Sequence, residues 1–205
     1  MGRTAGATAA GTRERLLRAA ADAFAGRGYD STRVADIAQA AGLSNGALYA
    51  YFGSKAELLV DALRAHGRRL LAELISADPS RSITDLLLVT GRSLRRRRDP
   101  DGYLVIEALV AARRDQDVAG PMRDYVRERV EWLAELVRRA QAQGELDPGL
   151  PPHAVAHFCL SLAVGTALLV PDLDDVDERE WAGFLARLVS ALAPAHTGEQ
   201  MGTEA

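Results

Sequence analysis

The residues with the clearest chemical potential lie between Ser44 and Lys55, in the run SNGALYAYFGSK. The amide of Asn45 can pair with the edge of an adenine, while Gly46 and Ala47 would allow a close approach or an apolar contact with a thymine methyl group. A tyrosine hydroxyl, present twice in this run, can donate to a phosphate oxygen. The chemistry indicated is therefore non-covalent recognition of a nucleic acid.

A helix-turn-helix would present this run to DNA, and residues 31–58 have the required spacing. Apolar residues such as Val34 and Ile37 repeat at the period of a helix. Gly42 follows at the position where a left-handed residue ends a helix. We therefore predict a short helix, a glycine turn and a second short helix over residues 45–51, a shape that fits the major groove of B-DNA.

Hydroxyl side chains precede each predicted helix of this motif. Thr32 is expected to cap the first helix and Ser44 the second, because a side-chain oxygen there accepts a bond from an unpaired backbone N–H. Ser54, followed three residues later by Glu57, predicts a capping box at the start of a long third helix. These caps set the predicted limits of the motif.

The stretch from about residue 12 to residue 60 resembles the DNA-binding region of tetracycline-repressor-like (TetR family) regulators. Tyr51 departs from the family pattern, which often has histidine there, although a tyrosine hydroxyl can still donate to a phosphate. The resemblance implies a ligand-responsive DNA-binding transcriptional regulator rather than an enzyme. The matching residues are Thr32, Asp36-Ile37-Ala38, Ala41-Gly42-Leu43-Ser44, Leu48-Tyr49, Phe52, Ser54-Lys55 and Leu58.

The resemblance also implies roles for individual side chains in the complex with double-stranded DNA. Phosphate contacts set register and base contacts set sequence preference. The implied phosphate contacts are Thr32, Ser44, Tyr49, Tyr51 and Lys55, with Arg33 in the same DNA-binding set. The implied base-edge contacts are Asn45, Gly46, Ala47 and Ala50. For Tyr49 the competing interpretation is ordinary packing between helices, and for Lys55 it is a surface ion pair.

Every predicted element is a helix, so we expect an all-α fold of about nine helices with no strand. Residues 1–58 would form the helix-turn-helix domain, with a disordered arm over 1–11 and the first helix starting at Thr12. Residues 59–194 would form an effector-binding and dimerisation domain, including a helix over residues 82–98. The tail over 195–205 is expected to be disordered.

Charge divides the chain in the same way. The net charge is -3, but residues 1–60 hold 7 Lys and Arg against 5 Asp and Glu, whereas the remainder is acidic. Positive charge thus accompanies the predicted DNA-binding region. A single cysteine, Cys159, and the lack of a signal peptide or an apolar stretch of membrane-spanning length predict a cytoplasmic protein with no membrane partner.

A helix predicted over residues 153–170 is apolar on almost every face and must be covered on all of them. The next helix is amphipathic, and two copies of this pair would bury both in a symmetric four-helix contact. The alternative is that the apolar helix is simply central in one domain. The residues expected in a homodimer interface are Phe158, Leu162, Gly165, Leu169, Trp181, Phe184 and Leu188.

Polar and aromatic residues on otherwise apolar stripes are the candidates for contacting a small-molecule effector. For each of them the competing interpretation is core or interface packing, which is the more common role of such a residue. No cluster of charge is expected inside the domain, which favours a largely apolar effector. The candidate pocket residues are His66, Thr90, Tyr103, Glu107, Tyr125, Trp132, His157 and Ser161.

A second function class remains open, a helical metal-dependent enzyme using the acidic loop around Asp174 and Asp175. The competing interpretation is a solvated loop whose carboxylates favour the start of the next helix. No second acidic motif faces it, and no nucleophile–base pair, zinc spacing or phosphate-binding glycine loop occurs. We therefore expect no catalytic residue, metal or cofactor. Repression and activation cannot be told apart from these residues.

Overall fold

Eight helices make up the described part of the chain, which a computed structural model gives for residues 3–77, 100–169 and 176–194. No residue in these ranges lies in a strand, so the predicted all-α class is confirmed. The helix predicted over 82–98 lies outside the described residues. The helices are α1 (Arg3–Arg27), α2 (Val34–Ala40), α3 (Asn45–Tyr49), α4 (Lys55–Ala77), α5 (Pro100–Ala112), α6 (Gln116–Ala142), α7 (Pro152–Leu168) and α8 (Glu178–Ala191).

The first helix begins at Arg3 rather than at Thr12. The predicted disordered arm is therefore wrong for residues 3–11, which form the first turns of α1. Glycines and threonines suggested a loop in this segment, but four of its nine residues are alanine. Alanine has the strongest intrinsic preference for the helix, so these residues allow α1 to extend through the segment despite its two glycines.

The turn between α2 and α3 is built around Gly42, whose φ of 70° lies in the left-handed region. The Gly42 N–H donates to the Gln39 carbonyl at 2.9 Å and the Leu43 N–H donates to the Ala38 carbonyl at 2.9 Å. This pair of bonds is a Schellman motif, which satisfies the last carbonyls of α2. The predicted glycine turn is confirmed.

Ser44 caps α3 as predicted, because its Oγ accepts a bond from the Ala47 N–H at 3.2 Å. The helix ends at Tyr49, two residues before the predicted end at Tyr51. The Tyr51 N–H instead donates to the Leu48 carbonyl at 2.9 Å. Such a bond to the third preceding residue tightens the last turn and closes the helix.

The start of α4 carries the predicted capping box with one difference. Ser54 Oγ accepts a bond from the Glu57 N–H at 3.0 Å. The Glu57 carboxylate accepts in return from the N–H of Gly53, at 2.7 Å, rather than from that of Ser54. The reciprocal bonds still satisfy two unpaired donors and fix the direction in which α4 leaves the motif.

A single hydrophobic cluster extends from the helix-turn-helix into the effector domain. It joins Phe24 of α1 and Leu48 of α3 to Leu104 of α5 and Met122 of α6. The helix α4 crosses the predicted domain boundary after residue 58 without a break. The two parts of the chain therefore share one core, and the boundary itself stays a prediction.

The far end of the effector domain is held by smaller clusters between α6 and α7. Leu192 packs against one of them just after the end of α8, and its carbonyl accepts a bond from the Asp147 N–H at 2.9 Å. Leu185 is the buried residue within α8. Thus only one side of α8 is covered by its own chain. None of the helices described is both long and apolar enough to cross a bilayer.

Candidate nucleic-acid interface

The outward face of α3 is formed by small and polar side chains. Asn45, Gly46 and Ala50 are exposed, and Tyr49 keeps 50% of its surface accessible. Leu48 is fully buried and anchors the helix to the core beneath it. Since half of Tyr49 faces solvent, packing between helices does not account for its whole side chain. The candidate base-reading residues therefore lie on one accessible surface, apart from Ala47, which is half-buried.

The fold itself does not require glycine at position 46. A Cβ atom added to Gly46 would meet no heavy atom within 4 Å. A glycine inside a helix lowers its stability, by roughly 0.5–1 kcal/mol relative to alanine. A glycine here would still let a partner approach the backbone closely. This agrees with the base-edge role predicted for Gly46.

Thr32 does not cap α2 and cannot contact a phosphate, so both predictions are wrong. Its side chain is 1% exposed, and its Oγ1 lies 2.7 Å from the Gly28 carbonyl and 3.1 Å from the Ala23 carbonyl. The residue at the cap of α2 is Arg33, whose side chain makes no capping bond. The Thr32 hydroxyl therefore ties the start of α2 to the end of α1.

We expect Thr32→Val to lower the free energy of unfolding by about 1–3 kcal/mol, because the buried carbonyls lose their donor while the side-chain volume is kept. Urea unfolding measures the loss, and DNA affinity of the folded protein should not change. The exposed neighbour Ser31 gives a matched control, since Ser31→Ala should alter stability by less than about 0.5 kcal/mol. Reduced DNA affinity at unchanged stability would restore the phosphate role.

The other candidate phosphate contacts occupy the edges of the same surface. The Ser44 Oγ accepts from the backbone, yet the residue is exposed and its hydroxyl proton can still be donated. Arg33 is exposed at the start of α2, and Tyr51 is half-buried against the core. Lys55 is the first residue of α4. Their contacts with DNA stay predictions.

Lys55 lies over an aromatic ring that the sequence did not single out. Its Nζ is 4.3 Å from the ring centroid of Tyr29, in the turn between α1 and α2. Burial lowers the pKa of Lys55, while the charges of Asp30 and Asp115 act in the opposite direction. In the sequence, Tyr29 is simply an aromatic residue in a Gly-Tyr-Asp turn. That pattern does not indicate which side chains lie next to its ring.

Three of the candidate pocket residues lie inside or partly inside the effector domain. Tyr125 is buried, and burial raises the pKa of its hydroxyl. Trp132 is half-buried, with the guanidinium of Arg129 5.4 Å from its ring centroid. His66 is half-buried on α4. Thr90 lies outside the described residues.

Four other candidate pocket residues do not lie in a buried interior of the single chain. Glu107 points to the α1–α2 turn, where it accepts a bond from the Tyr29 N–H. Tyr103 is 44% exposed at the start of α5. His157 and Ser161 are exposed because Val155 and Ala156 occupy the inward side of α7. Successive helical residues are about 100° apart, so residues 157 and 161 fall on the outer side.

The helices α4 and α6 also approach each other closely at a point that was not predicted. A Cβ atom on Gly67 would lie 3.3 Å from the Arg129 guanidinium and 3.6 Å from the Tyr125 hydroxyl. The absence of a side chain at Gly67 thus lets two polar groups of α6 reach the backbone of α4. An isolated glycine within a helical pattern was the available signal.

Apolar side chains of α7 and α8, here called the α7–α8 face, are uncovered in the single chain. Phe158 in the first half of α7, Leu168 and Leu169 at its end, and Phe184 of α8 keep 50–58% of their surface exposed. Trp181 lies beside Phe184 with ring centroids 6.2 Å apart. The other predicted interface residues, Leu162, Gly165 and Leu188, are half-buried. Exposed aromatic and aliphatic side chains together mark an interaction surface.

Comparison with known proteins assigns the chain to a family. The model described as "Bacterial regulatory proteins, tetR family" matches residues 16–62, and "Tetracyclin repressor-like, C-terminal domain" matches residues 77–192. The chain belongs to the TetR family of transcriptional regulators. It is therefore a DNA-binding regulator rather than an enzyme, and proteins of this family bind DNA and small-molecule ligands, typically as dimers.

Individual TetR-family relatives agree with this assignment over most of the chain. The transcriptional regulator TtgR of Pseudomonas putida is 32% identical over 186 residues, covering 83% of this chain and 87% of its own. The transcriptional repressor KstR2 of Mycolicibacterium smegmatis is 28% identical over 158 residues, or 73% and 74% of the two chains. Salmonella enterica GusR superposes with a TM-score of 0.73 at 25% identity, covering 89% of this chain and 95% of its own.

The acidic-loop alternative loses its support once the family is known. Asp174 and Asp175 lie outside the described residues. Within the described ranges, no three His, Cys, Asp or Glu side chains converge as a metal site would require. Asp177, which follows the loop, caps α8 by accepting a bond from the Arg179 N–H at 2.6 Å. This cap matches the competing interpretation, in which carboxylates favour a helix start.

Proposed function

We propose that this TetR-family protein is a ligand-responsive repressor that binds a palindromic operator as a homodimer and is released by a small, largely apolar effector. The observation that carries the proposal is the exposed face of α3, with Asn45, Gly46, Tyr49 and Ala50 accessible on a helix anchored by one buried leucine. Such a face suits the major groove, where base edges display a distinct pattern of donors and acceptors.

The α7–α8 face supports the homodimer. A second copy is the occupant that fits it, because the same apolar patch on both copies forms a self-complementary contact around a two-fold axis. Phe158 and Phe184 are the largest exposed side chains of this face. Buried aromatic side chains often carry a large share of the energy of an interface.

A symmetric dimer predicts the form of the operator. Two α3 helices held about 34–36 Å apart would enter successive major grooves on one side of the duplex. The DNA sequence should then be palindromic, as the protein is symmetric. Occupation of such a site in a promoter blocks transcription, and the related KstR2 is named a repressor.

The interior of the effector domain supports an apolar effector. Apart from the tyrosines, Thr32, in the DNA-binding part, is the one polar residue among the buried residues that the structure describes. A charged effector would therefore find no fully buried counter-charge among the described side chains, and burying an unpaired charge is unfavourable. Tyr125 and Trp132 could provide the few polar contacts that orient such a ligand.

The helix α4 provides the connection between effector and DNA. It begins with Lys55 beside the DNA-binding motif and continues through the effector domain past Gly67. A ligand that favours one tilt of α4 would change the separation of the two α3 helices. Release follows only if the ligand binds the DNA-free form more tightly than the DNA-bound form.

The DNA-binding proposal can be tested with two variants of the protein and a DNA fragment from the promoter of its own gene. Lys55→Ala should weaken binding by a similar factor on all sequences and reduce the slope of log affinity against log salt by about 0.9. Asn45→Ala should instead change which operator variants bind best. Fluorescence anisotropy over a salt series measures both effects. Unchanged affinity and sequence preference in both variants would contradict the assignment.

The effector proposal is tested by measuring release of the protein from the same DNA fragment when compounds are added. Apolar compounds of drug or metabolite size should release the wild-type protein from DNA, while charged compounds of similar size should not. A protein that regulates transcription in this way works where the DNA is, which agrees with the predicted cytoplasmic location. Release by charged compounds alone would contradict the apolar class.

A further inference from the structure

Tyr29 connects the effector domain to the start of α4. It lies in the turn after α1, is buried, and packs against Phe24 with ring centroids 5.8 Å apart. The ammonium group of Lys55 lies over the Tyr29 ring, 4.3 Å from its centroid. A protein with no other lysine thus places its single ammonium side chain on this aromatic ring.

Two carboxylates of the effector domain hold Tyr29 at opposite ends. Glu107 of α5 accepts a bond from its backbone N–H. Asp115, between α5 and α6, accepts a bond from its hydroxyl at 3.1 Å. Burial, followed by the bond to Asp115, raises the pKa of Tyr29. The hydroxyl therefore stays protonated at physiological pH and can act as the donor.

Both carboxylates are themselves fixed in place. Asp115 caps α6 by accepting a bond from the Asp117 N–H at 2.8 Å. Glu107 lies close to Gly28, where a Cβ atom would be 3.1 Å from Oε1 and where φ is 81°. A side chain at Gly28 would be strained and would crowd Glu107. Residues 107–115, which form the second half of α5 and the turn into α6 and are here called the α5–α6 corner, therefore set the position of Tyr29.

The Tyr29 ring also restricts Lys55. A free lysine side chain has about 2 kcal/mol of rotamer entropy, and ordering it weakens any contact it makes. A cation over an aromatic face is held by the ring quadrupole, with about 0.5–1 kcal/mol at an exposed site. An ammonium group has three donors, so it can lie on the ring and still bind a phosphate.

We propose that Tyr29 is a positioning residue for the phosphate contact of Lys55, and that Glu107 and Asp115 make this contact depend on the placement of the α5–α6 corner. The inference rests on the DNA-binding role proposed for Lys55. A shift of the corner would displace the ring and leave Lys55 less ordered, lowering DNA affinity without a change at the α3 surface.

Arg114 also pairs with Asp30 of the α1–α2 turn at 3.8 Å, on the exposed surface. Another polar connection between the two parts of the chain does not end at the DNA-binding surface. Arg64 of α4 pairs with Glu128 of α6 at 3.0 Å and with Asp61, which also pairs with Arg13. Arg13 lies 5.0 Å from the ring centroid of Phe52, a buried residue. That chain of contacts stabilises the packing of α1, α4 and α6, whereas the Tyr29 contacts end on Lys55, a partly exposed candidate for a phosphate contact.

The first test is a double-mutant cycle on the full-length protein with a mixed-sequence duplex of about 30 base pairs. Tyr29→Leu should weaken binding about two- to fivefold when Lys55 is present, the range expected for loss of an exposed cation–π contact. In a Lys55→Ala background it should have no effect. Tyr29→Phe keeps the ring but loses the hydroxyl bond to Asp115, so it should weaken binding less than Tyr29→Leu does and to about the same extent as Asp115→Ser.

The second test concerns the effector-domain side of the connection. Asp115→Ser keeps a residue that caps α6 well, but its side chain is too short to reach the Tyr29 hydroxyl. It should lower DNA affinity in the wild-type background and much less in a Tyr29→Phe background. The double-mutant cycle removes the general effect of deleting one negative charge, since that effect is present in both backgrounds.

The outcomes distinguish the two proposals. If Lys55→Ala leaves DNA affinity and its salt dependence unchanged, the phosphate contact itself is wrong. If Lys55→Ala weakens binding but Tyr29→Leu acts equally in both Lys55 backgrounds, Tyr29 has only a structural role and the inference is overturned. Equal effects of Asp115→Ser in the Tyr29 and Tyr29→Phe backgrounds would refute the connection to the α5–α6 corner.

Discussion

Phe184→Glu is expected to convert the protein to a monomer and to weaken operator binding at least about 100-fold. Linking two binding modules raises the overall affinity by roughly 10²–10⁴ through effective concentration alone, and a monomer loses that gain. A carboxylate at this position would be buried without a partner in the proposed interface. Because Phe184 is 57% exposed in the single chain, the protomer itself should remain folded.

Light scattering coupled to size-exclusion chromatography measures the mass, and anisotropy with a palindromic duplex measures the affinity. Val110→Glu is the matched control, since Val110 is also an exposed apolar residue but lies near the end of α5 rather than on the α7–α8 face. It should keep the mass of a dimer. A dimeric Phe184→Glu protein with wild-type affinity would show that α8 does not contribute to the interface.

A second large effect is expected for Gly46→Glu, which should weaken DNA binding at least about 100-fold while leaving the fold intact. Like charges brought together in an interface cost several kcal/mol, and each 1.4 kcal/mol is a factor of ten. The new side chain has open space in the free protein. It should even favour α3 slightly, because an acidic residue in the first turn complements the helix dipole.

Thermal unfolding and anisotropy separate the two consequences of this substitution. Gly120→Glu is the matched control, because a Cβ at Gly120 of α6 also meets no heavy atom within 4 Å. It adds the same charge to α6 rather than to α3, and it should lower DNA affinity far less than Gly46→Glu does. If both variants bind DNA equally well, the α3 surface is not the contact with the bases.

Local features of this protein followed from residue types and short spacings. The Gly42 turn, the Ser44 cap and the Ser54–Glu57 capping pair each involve bonds between residues within five positions of one another. Such features depend on backbone geometry that neighbouring residues decide together.

Predictions failed where a side chain had more than one partner to choose from. A hydroxyl two residues before a helix resembles a cap, but Thr32 faces the carbonyls at the end of α1 instead. A glutamate on an apolar stripe resembles a pocket residue, but Glu107 crosses to the Tyr29 backbone. His157 was predicted to line a pocket, yet the way α7 packs on α6 leaves it exposed.

The amino-acid order by itself determined that the chain is helical, where the DNA-binding motif begins and turns, and which family the protein belongs to. Tertiary structure alone decided that Tyr29 meets residues 78 and 86 positions away, and that one face of α7 and α8 stays uncovered. The physical reason is that bonds within a turn are set by local dihedral angles. Contacts between distant helices depend on packing angles, to which all the core side chains contribute.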